Sequence, residues 1–374
     1  MSGLSNNAPI VLATGGTGGH VFPAEALASE LAARGHRLAL ITDRRGRQWK
    51  GALANFPIHA IRATSPSGGL AGKLRGVVDL GRGFFEARSA LRQMAPAAAV
   101  GFGGYASVPT MMAATMAGIP TVLHEQNAVL GRANRLLAGR VDRIATAFAK
   151  VEHVPAGRAT VVGNPVRDEI RALYGCGYTP PSPTRTFNIL ITGGSQGATV
   201  FSKVLPAALE QLAPVLRSRL RLVQQCRSED LEAVRAAYAA LGVDAELASF
   251  FADIPARLAG AHLVLARAGA STVAELTASG RPSILVPYPH ATDDHQNANA
   301  RAIDEVGATI RVTNADFTAD WLAAQLGALS ADPQRLARMA EAAHSLGRPD
   351  AAQRLADLVE SLLHKAPVAA GGAA

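Results

Sequence analysis

Two glycine-rich turns in this chain each separate an apolar segment from a segment with helical spacing. The first has the sequence GGTGGH at 15–20 and follows an apolar run at 10–14. The second has the sequence GGSQGA at 193–198 and follows a similar run at 187–192. Glycines at a strand-to-helix turn let the main chain approach a ligand, and the helix that follows offers unpaired N–H groups to a phosphate. The repeat therefore predicts two similar halves, each with its own phosphate-binding turn.

Apolar segments typical of strands recur through both halves, separated by helical or loop stretches. This alternation predicts, in each half, a parallel sheet covered by helices on both faces. The predicted strands lie at 10–14, 38–42, 97–102, 120–124, 159–162, 187–192, 220–225, 245–250, 262–266, 283–287 and 308–312. The predicted helices include 21–34, 108–117, 200–213, 333–346 and 350–364.

The length of the chain also indicates two domains, because 374 residues exceed the size at which one core suffices. Two stretches rich in proline or glycine are candidates for the joint, VVGNP at 161–165 and a longer segment at 175–186. Composition alone does not choose between them.

The cellular compartment of the protein can be predicted from targeting features and from the cysteines. Residues 1–8 lack the charged and apolar regions of a signal peptide, and no apolar run reaches the roughly 18 residues of a membrane span. The two cysteines, Cys176 and Cys226, have no metal-ligand or disulfide spacing. We therefore expect a soluble protein of a reducing, cytoplasmic compartment.

Charge is distributed unevenly along the chain. Residues 1–166 hold 18 Lys and Arg against 8 Asp and Glu, a net charge of +10, whereas residues 167–374 hold 19 against 21, a net charge of −2. The first half is thus suited to an anionic partner such as nucleic acid, an acidic lipid surface or a phosphorylated substrate.

The segment at 70–92 places apolar residues at helical spacing among five basic residues. It predicts a basic amphipathic helix pair, interrupted at Gly81 and Gly83. Its apolar residues either pack on the sheet as core or lie at a membrane surface. The charge asymmetry favours the membrane surface.

Two further polar or glycine-rich stretches follow predicted strands. The sequence GFGGYAS at 101–107 forms a third strand-to-helix glycine turn, and HEQN at 124–127 ends the strand at 120–124. Ligands of open α/β sheets bind at the carboxyl ends of the strands. Both stretches are therefore candidate binding loops, although HEQN can also be read as a solvated loop.

Six motifs, taken in order, closely resemble the MurG family of N-acetylglucosaminyltransferases. They are GGTGGH at 15–20, GGY at 103–105, HEQN at 124–127, GNPVR at 163–167, GGSQGA at 193–198 and GASTVAE at 269–275. The resemblance runs from about residue 10 to 365. It implies the GT-B fold, two Rossmann-like doubly wound α/β domains facing across a cleft, with the joint at Asn164 and Pro165.

The same resemblance implies a domain organisation. An N-terminal, acceptor-binding and membrane-facing domain would span 1–166, and a UDP-GlcNAc-binding domain would span 167–347. A C-terminal helix at about 348–366 would pack back on the first domain, and a tail at 367–374 is expected to be disordered.

The implied activity is inverting transfer of GlcNAc from UDP-GlcNAc to the 4-hydroxyl of undecaprenyl-diphospho-MurNAc-pentapeptide (lipid I), which gives lipid II for peptidoglycan. It would take place at the cytoplasmic face of the bacterial inner membrane, with anionic lipids and cell-wall synthesis proteins as further partners. The sequence contains no Asp-x-Asp motif, so we expect no metal and no other cofactor. Helix N-termini and main-chain donors would stabilise the leaving UDP.

Donor contacts are carried over from the family motifs. Arg167 and Ser195 would hold the diphosphate, and Glu275 would accept bonds from the ribose diol because a carboxylate offers two oxygens. Phe251 would meet the uracil through its main chain, with its ring as a lid; in the alternative, Phe250 and Phe251 are both core. The remaining implied donor contacts are Thr17, Gly18, Gly19, Asn127, Ala270, Ser271, Thr272 and Gln296, with Ser271 a helix cap in the alternative reading.

The general base is predicted to be His20, because a histidine of ordinary pKa, about 6.5, can take a proton at neutral pH. Glu125 is the rival candidate, and a purely structural His20 is the other alternative. Acceptor contacts implied by the family are Gly104, Tyr105, His124 and Asn134. His295 lies where other variants of the family often have glutamine, which leaves it in doubt as a sugar contact.

Other classes of function compete with this reading. Asp43 follows a strand where a nicotinamide dehydrogenase would bind ribose, yet Val21 breaks the GxGxxG pattern. A cluster of His and Asp at 290–295 suggests a metal site but lacks a partner motif. A basic binding protein has only the charge of the first half in its favour, since no nucleic-acid module is present. A GT-B transferase for a soluble acceptor is the alternative within the enzyme class.

Overall fold

A computed structural model describes residues 8–15, 18–43, 52–64, 69–182, 184–194 and 197–363. The chain divides into two compact units, Met1–Pro165 with Asp350–Ala374, and Val166–Pro349. We call them unit 1 and unit 2. The divisions fall close to the predicted boundaries after residues 166 and 347. The tail at 367–374 lies outside the described residues.

Unit 1 is built on a sheet of seven parallel strands in the order β3-β2-β1-β4-β5-β6-β7. The strands are β1 (Ile10–Ala13), β2 (Leu38–Thr42), β3 (Ile58–Ala60), β4 (Ala98–Gly101), β5 (Thr121–Glu125), β6 (Arg143–Thr146) and β7 (Ala159–Val161). Its helices are α1 (Gly18–Ala33), α2 (Leu70–Met94), α3 (Val108–Met116), α4 (Arg132–Leu137) and α14 (Ala351–Leu363).

Both faces of this sheet are covered. Ile10 and Leu12 of β1 pack in one cluster with α1 and α14, whereas Val11 and Ala13 pack in a second with α2, α3 and α4. Alternate residues of a strand point to opposite faces, which explains why a central parallel strand is apolar throughout.

Two strands of unit 1 were not predicted, β3 and β6. β3 has three residues at the edge of the sheet, and β6 has the sequence RIAT, in which charged and small residues surround one isoleucine. Neither segment carries a continuous apolar run. Pairing with an existing neighbour, not local sequence, makes them strands.

The segment predicted as a helix pair is a single helix of 25 residues, α2. Gly83 does not break it. Instead, a Cβ at Gly83 would lie 1.8 Å from the carbonyl oxygen of Arg62, whereas nothing lies within 4 Å of a Cβ at Gly81. The absence of a side chain at Gly83 allows the helix to approach the segment at 61–64. Two hydrogen bonds hold this contact: the Arg62 N–H donates to Glu86 (2.8 Å), and the Thr64 hydroxyl donates to Asp79 (2.9 Å).

Helix α14 returns from the far end of the sequence to complete unit 1. Leu355, Val359 and Leu362 are buried in the same cluster as α1. At the rim, Arg34 donates to Asp357 (2.6 Å) and to Glu360 (2.8 Å). Arg34 and His36 lower the pKa of Glu360, while partial burial opposes them. The helix is therefore part of the core of unit 1.

Unit 2 repeats the plan with six parallel strands in the order β10-β9-β8-β11-β12-β13. The strands are β8 (Phe187–Thr192), β9 (Leu220–Gln225), β10 (Asp244–Ala248), β11 (Leu263–Ala266), β12 (Ser283–Leu285) and β13 (Thr309–Arg311). Its helices are α5 (Asp168–Arg171), α6 (Thr199–Glu210), α7 (Pro214–Arg217), α8 (Leu231–Ala240), α9 (Ile254–Gly260), α10 (Ala270–Ser279), α11 (His295–Asp304), α12 (Ala319–Ala331) and α13 (Pro333–Leu346).

The second candidate joint, 175–186, belongs to unit 2. The Tyr178 hydroxyl donates to the carbonyl of His262 at 2.9 Å, and Arg281 donates to the carbonyl of Gly177 at 3.2 Å. These bonds attach the segment to the sheet and to the end of α10. None of the helices within the described ranges is both long and apolar enough to cross a membrane.

Gly81 and Gly83 of α2 give a matched test of this packing. Gly81→Ala should raise the free energy of unfolding by about 0.5–1 kcal/mol, because it removes backbone freedom from an open helical position. Gly83→Ala should lower it by about 1–3 kcal/mol, because the new Cβ meets the Arg62 carbonyl. Urea unfolding of both variants measures the difference, and equal shifts of the same sign would contradict the close approach.

Candidate functional site

The strand order of each sheet reverses beside its first strand. β1 is flanked by β2 and β4, and β8 is flanked by β9 and β11. Loops that leave neighbouring strands toward opposite faces open a crevice at the carboxyl edge, which is where ligands bind in such folds. In unit 1 the flanking loops follow β1 and β4; in unit 2 they follow β8 and β11.

His20 lies at the reversal point of unit 1, in the first turn of α1. Its Nδ1 atom is 2.8 Å from the carbonyl oxygen of Phe102, the residue that follows β4. The hydroxyl of Thr14 donates to the carbonyl of His20 at 3.1 Å. The ring is therefore held between the two loops that flank the crevice.

The proton of neutral His20 resides on Nδ1, because the Phe102 carbonyl can only accept a hydrogen bond. The side-chain amide of Gln126 also lies against Nδ1, at 2.6 Å, and Gln126 is 4% exposed. An amide has the same shape in both orientations, and with its oxygen toward Nδ1 it accepts from the same proton. In this tautomer the Nε2 atom carries the lone pair, as a general base requires.

Gly103 and Gly104 cover one side of the imidazole. Both have positive φ, 84° and 72°, which favours glycine. A Cβ at Gly104 would lie 3.5 Å from His20 Nε2, and one at Gly103 would lie 3.3 Å from Cε1. The glycines thus leave the Nε2 side of the ring uncrowded by side chains from this loop. Tyr105 follows them and is half-buried.

Glu125 is buried and its carboxylate accepts hydrogen bonds from three residues. The donors are the N–H (3.0 Å) and amide (3.2 Å) of Asn127, the N–H of Gly131 (2.8 Å) and the amide of Asn134 (2.9 Å). A carboxylate with this many protein donors has little capacity left for a substrate proton. The geometry therefore favours a supporting role for Glu125, holding the loop after β5, over the predicted role as rival base.

His124 is fully buried, which argues against the predicted direct contact with the acceptor. Its Nε2 atom donates to the carbonyl of Gly163 at 3.1 Å and so attaches β5 to the segment after β7. Burial lowers the pKa of His124 to about 4; the Gly163 carbonyl opposes this shift and the nearby His20 adds to it. His124 is consequently neutral at physiological pH.

In unit 2, a directional chain of hydrogen bonds joins the carboxyl ends of three strands. The amide of Gln225 donates to the carbonyl of Ser249 (3.1 Å) and accepts from the hydroxyl of Thr192 (2.9 Å). That hydroxyl in turn accepts from the N–H of Gly194 (3.3 Å). Gly194, at the start of the glycine loop after β8, is thereby fixed relative to the ends of β9 and β10.

Glu275 and Arg167 meet beside the first turn of α10. Arg167 Nη2 is 3.5 Å from Glu275 Oε1. Burial raises the pKa of Glu275 and the charge of Arg167 lowers it.

Gly269 caps α10, so Ser271 is not the cap, and the buried hydroxyl of Ser271 has no hydrogen-bond partner among the described residues. The N–H groups of Ala270 and Thr272 lie in the same first turn, where a helix has N–H groups without intrahelical partners.

The two phenylalanines that follow β10 differ in their exposure to solvent. Phe251 is buried, with the Arg257 guanidinium 4.0 Å from its ring centre, whereas Phe250 is 73% exposed. Arg257 is held by Glu246 and Asp253. The ring of Phe251 is therefore core, in agreement with the alternative interpretation, whereas Phe250 is not core and presents an open aromatic face.

The loop before α11 is held by its own polar groups. Gln296 accepts from the N–H of Tyr288 (2.9 Å), and His295 Nδ1 lies 2.7 Å from the carbonyl of Thr292. Asp293 and Asp294 have positive φ, 53° and 52°, a strain typical of functional loops. Across the described ranges, no three His, Cys, Asp or Glu side chains are grouped as metal ligands, and this includes 290–295.

Comparison with known proteins places the whole chain in one family. Residues 10–146 match the glycosyltransferase family 28 N-terminal domain, and residues 188–355 match its C-terminal domain. A Rhodospirillum rubrum protein named "UDP-N-acetylglucosamine--N-acetylmuramyl-(pentapeptide) pyrophosphoryl-undecaprenol N-acetylglucosamine transferase" is 56% identical over 96% of this chain and 94% of its own. The chain belongs to the MurG family.

Two further matches support the assignment of this chain to the MurG family. A protein of the same name from Paramagnetospirillum magneticum is 56% identical over 96% of this chain and 98% of its own. The crystal structure of Acinetobacter baumannii MurG superimposes with a TM-score of 0.78 at 31% identity and covers 94% of this chain and 99% of that one. The predicted fold is confirmed: the chain has the GT-B fold.

The structure places most of the family residues at the two reversal points. In unit 1, Gly18, Gly19, His20, Gly104 and Tyr105 lie on the loops that flank the crevice, and Asn134 and Asn127 are bonded to Glu125 beneath them. Thr17 and Ser195 lie outside the described residues. Phe102, Gln126, Gln225 and Arg257 were not predicted to have a role at either site. Of these four residues, only Gln126 carried a signal in the sequence, through its position within HEQN.

The depressed pKa of His124 predicts a pH dependence of stability. An unfolded histidine titrates near 6.5, so between about pH 6.5 and 4 the unfolded chain binds a proton that folded His124 does not. Stability is therefore lost as pH falls through this window, by up to about 3 kcal/mol. In His124→Gln, whose amide can still donate to Gly163, the loss between about pH 7 and pH 4.5 should be smaller. Denaturant unfolding at both pH values tests this, and parallel curves would contradict it.

Proposed function

We propose that this chain transfers GlcNAc from UDP-GlcNAc to the 4-hydroxyl of undecaprenyl-diphospho-MurNAc-pentapeptide, with inversion at the anomeric carbon. The observation that carries the proposal is 56% identity, over 96% of the chain, to a relative whose name states the donor, the acceptor and the transferred sugar. The acceptor hydroxyl and the inversion are what the family resemblance implies. Unit 1 would bind the acceptor and unit 2 the sugar nucleotide.

The chemical step needs a base for the attacking hydroxyl. The acceptor oxygen forms a bond to the anomeric carbon while the bond from that carbon to the UDP oxygen breaks. The proton of the hydroxyl passes to Nε2 of His20, which the Phe102 carbonyl keeps available by holding the proton on Nδ1. General-base catalysis of this kind contributes about 100-fold to 10,000-fold to the rate.

Donor binding would rest on three features of unit 2. The carboxylate of Glu275 would accept hydrogen bonds from the two ribose hydroxyls, and the guanidinium of Arg167 beside it would attract the diphosphate. The first turns of α6 and α10 add N–H donors and positive dipole ends. The exposed ring of Phe250 offers a flat apolar face to the uracil. These groups would stabilise the leaving UDP without a metal ion.

A transfer assay in EDTA tests this proposal with radiolabelled UDP-GlcNAc and a short-chain lipid I analogue. Wild type should transfer GlcNAc because fixed protein donors stabilise the leaving group. His20→Ala should lose at least about 100-fold in kcat with its donor affinity retained, because only the base is removed. Glu275→Ala should raise the KM for UDP-GlcNAc at least about 10-fold, because two bonds to a charged group are lost.

The two variants serve as controls for each other, since one should change kcat and the other KM. Full activity in His20→Ala would move the base to another group or to solvent. Dependence on added Mg²⁺ would contradict stabilisation of UDP by the protein alone. Failure of folded wild type to use the lipid I analogue would favour a soluble acceptor.

The exposed face of α2 supports a membrane-bound acceptor. Leu74, Val77, Val78 and Phe85 are exposed, at 66, 59, 45 and 70%, and exposed Arg75, Arg82 and Arg92 lie among them. Only part of the apolar surface of the helix is therefore core. An exposed apolar and basic helix face fits an anionic lipid surface, so we propose that unit 1 lies peripherally on the cytoplasmic leaflet of the inner membrane.

Sedimentation with phosphatidylglycerol vesicles tests this surface. Wild type should bind, and the double variant Leu74→Asp and Phe85→Asp should bind at least about 10-fold more weakly, because two apolar side chains worth about 1.5–3 kcal/mol each no longer enter the lipid. Val215→Asp is the control, since Val215 is 77% exposed in unit 2. Equal binding by all three proteins would contradict the proposal.

A further inference from the structure

Arg227 packs directly against the glycine loop that follows β8. It lies just beyond the end of β9, the strand next to β8. Gly197 in that loop has φ +67°, and a Cβ there would lie 2.8 Å from Arg227 Cγ and 3.2 Å from its nitrogen. The stem of Arg227 thus occupies the space that a side chain at 197 would need.

This placement is fixed by hydrogen bonds of the two residues that precede Arg227. The preceding residue, Cys226, donates its N–H to the carbonyl of Ala248 at 3.0 Å. Before it, Gln225 binds Thr192 and Ser249, as described above. The chain at 225–227 and the start of the glycine loop at Gly194 therefore belong to one hydrogen-bonded edge of the sheet.

Arg227 differs from the other arginines at this edge of unit 2. Arg267 donates to the carbonyls of Val286 (3.0 Å) and Pro287 (3.1 Å), so its guanidinium anchors the neighbouring loop. Arg167 faces the partly buried Glu275. Arg227 instead pairs at 2.6 Å with Glu229, and both side chains are about half exposed, at 48 and 60%. A surface carboxylate on the same turn is a partner that an anionic ligand can replace at little cost.

We infer that Arg227 is a diphosphate ligand of the sugar nucleotide and that Glu229 holds it beside the glycine loop until the donor binds. The inference rests on the proposed function, because it takes the described part of the glycine loop, 193–194 and 197–198, as lining the diphosphate site. The guanidinium exchanges the Glu229 carboxylate for phosphate oxygens, to which its planar fork is well matched. As the bond between sugar and UDP breaks, the diphosphate gains negative charge, which Arg227 then stabilises.

The roles of Arg227 and Glu229 have opposite consequences for affinity. Loss of the guanidinium removes a cation from the diphosphate, whereas loss of the carboxylate removes a competitor for that cation. The nucleoside part of the donor has no phosphate, so neither change should affect uridine. A residue that merely supported the fold would change uridine and UDP binding together.

Calorimetric titration of UDP and of uridine into the full-length protein tests the inference. Arg227→Gln keeps the Cγ that contacts Gly197 and should weaken UDP binding at least about 10-fold, with uridine changed by less than about 2-fold. Glu229→Gln should tighten UDP binding by about 2-fold to 5-fold. Arg235→Gln is the control, because Arg235 on α8 forms a similar exposed pair with Glu232 at 3.7 Å and should leave both affinities unchanged.

Three outcomes would overturn the inference. Unchanged UDP affinity in Arg227→Gln would show that the side chain does not meet the diphosphate. Equal weakening of uridine and UDP would show a structural role. Absence of UDP binding by wild type would remove the proposed donor site as well, which separates failure of the proposed function from failure of Arg227 alone.

Discussion

Reversal of strand order beside the first strand of each sheet is the constraint on which the two sites depend. In a parallel sheet every strand ends at the same edge, and loops on either side of the reversal leave toward opposite faces. Each sheet of this chain has such an edge. In unit 1 the loops after β1 and β4 lie around His20, and in unit 2 the loops after β8 and β11 lead into α6 and α10. The glycines and helix starts recognised in the sequence are consequences of that geometry.

The polar side chains beneath the unit 1 loops form a scaffold for one imidazole. The Phe102 carbonyl holds the proton of His20 on Nδ1, and the side-chain amide of Gln126 contacts the same nitrogen. Glu125 gathers the donors of the following loop, while buried His124 ties β5 to Gly163. Burying so many polar groups is tolerable only because they bond one another. Such a network orients a catalytic group more rigidly than a solvent-exposed loop can.

The sequence was sufficient to predict the alternation of strands and helices, because central parallel strands are apolar throughout and glycine turns mark the helix starts. It was insufficient where neighbours decide the structure. β3 and β6 are strands through pairing alone, and Gly83 reads as a helix breaker until the carbonyl of Arg62 is seen against it. Likewise, His20 and Gln126 are 106 residues apart, so no spacing rule relates them. Whether Phe250 or Phe251 faces solvent depends on the contact between Phe251 and Arg257, which no local sequence pattern indicates.

The return of α14 to unit 1 has a consequence for the order in which the protein matures during synthesis. Leu355, Val359 and Leu362 complete a core begun by Ile10, yet all of unit 2 is translated between them. While the ribosome makes residues 166–349, one face of the first sheet lacks its final helix and leaves apolar side chains uncovered. The nascent chain can thus finish the second unit as an independent body, but the first becomes whole only after α14 has also left the exit tunnel.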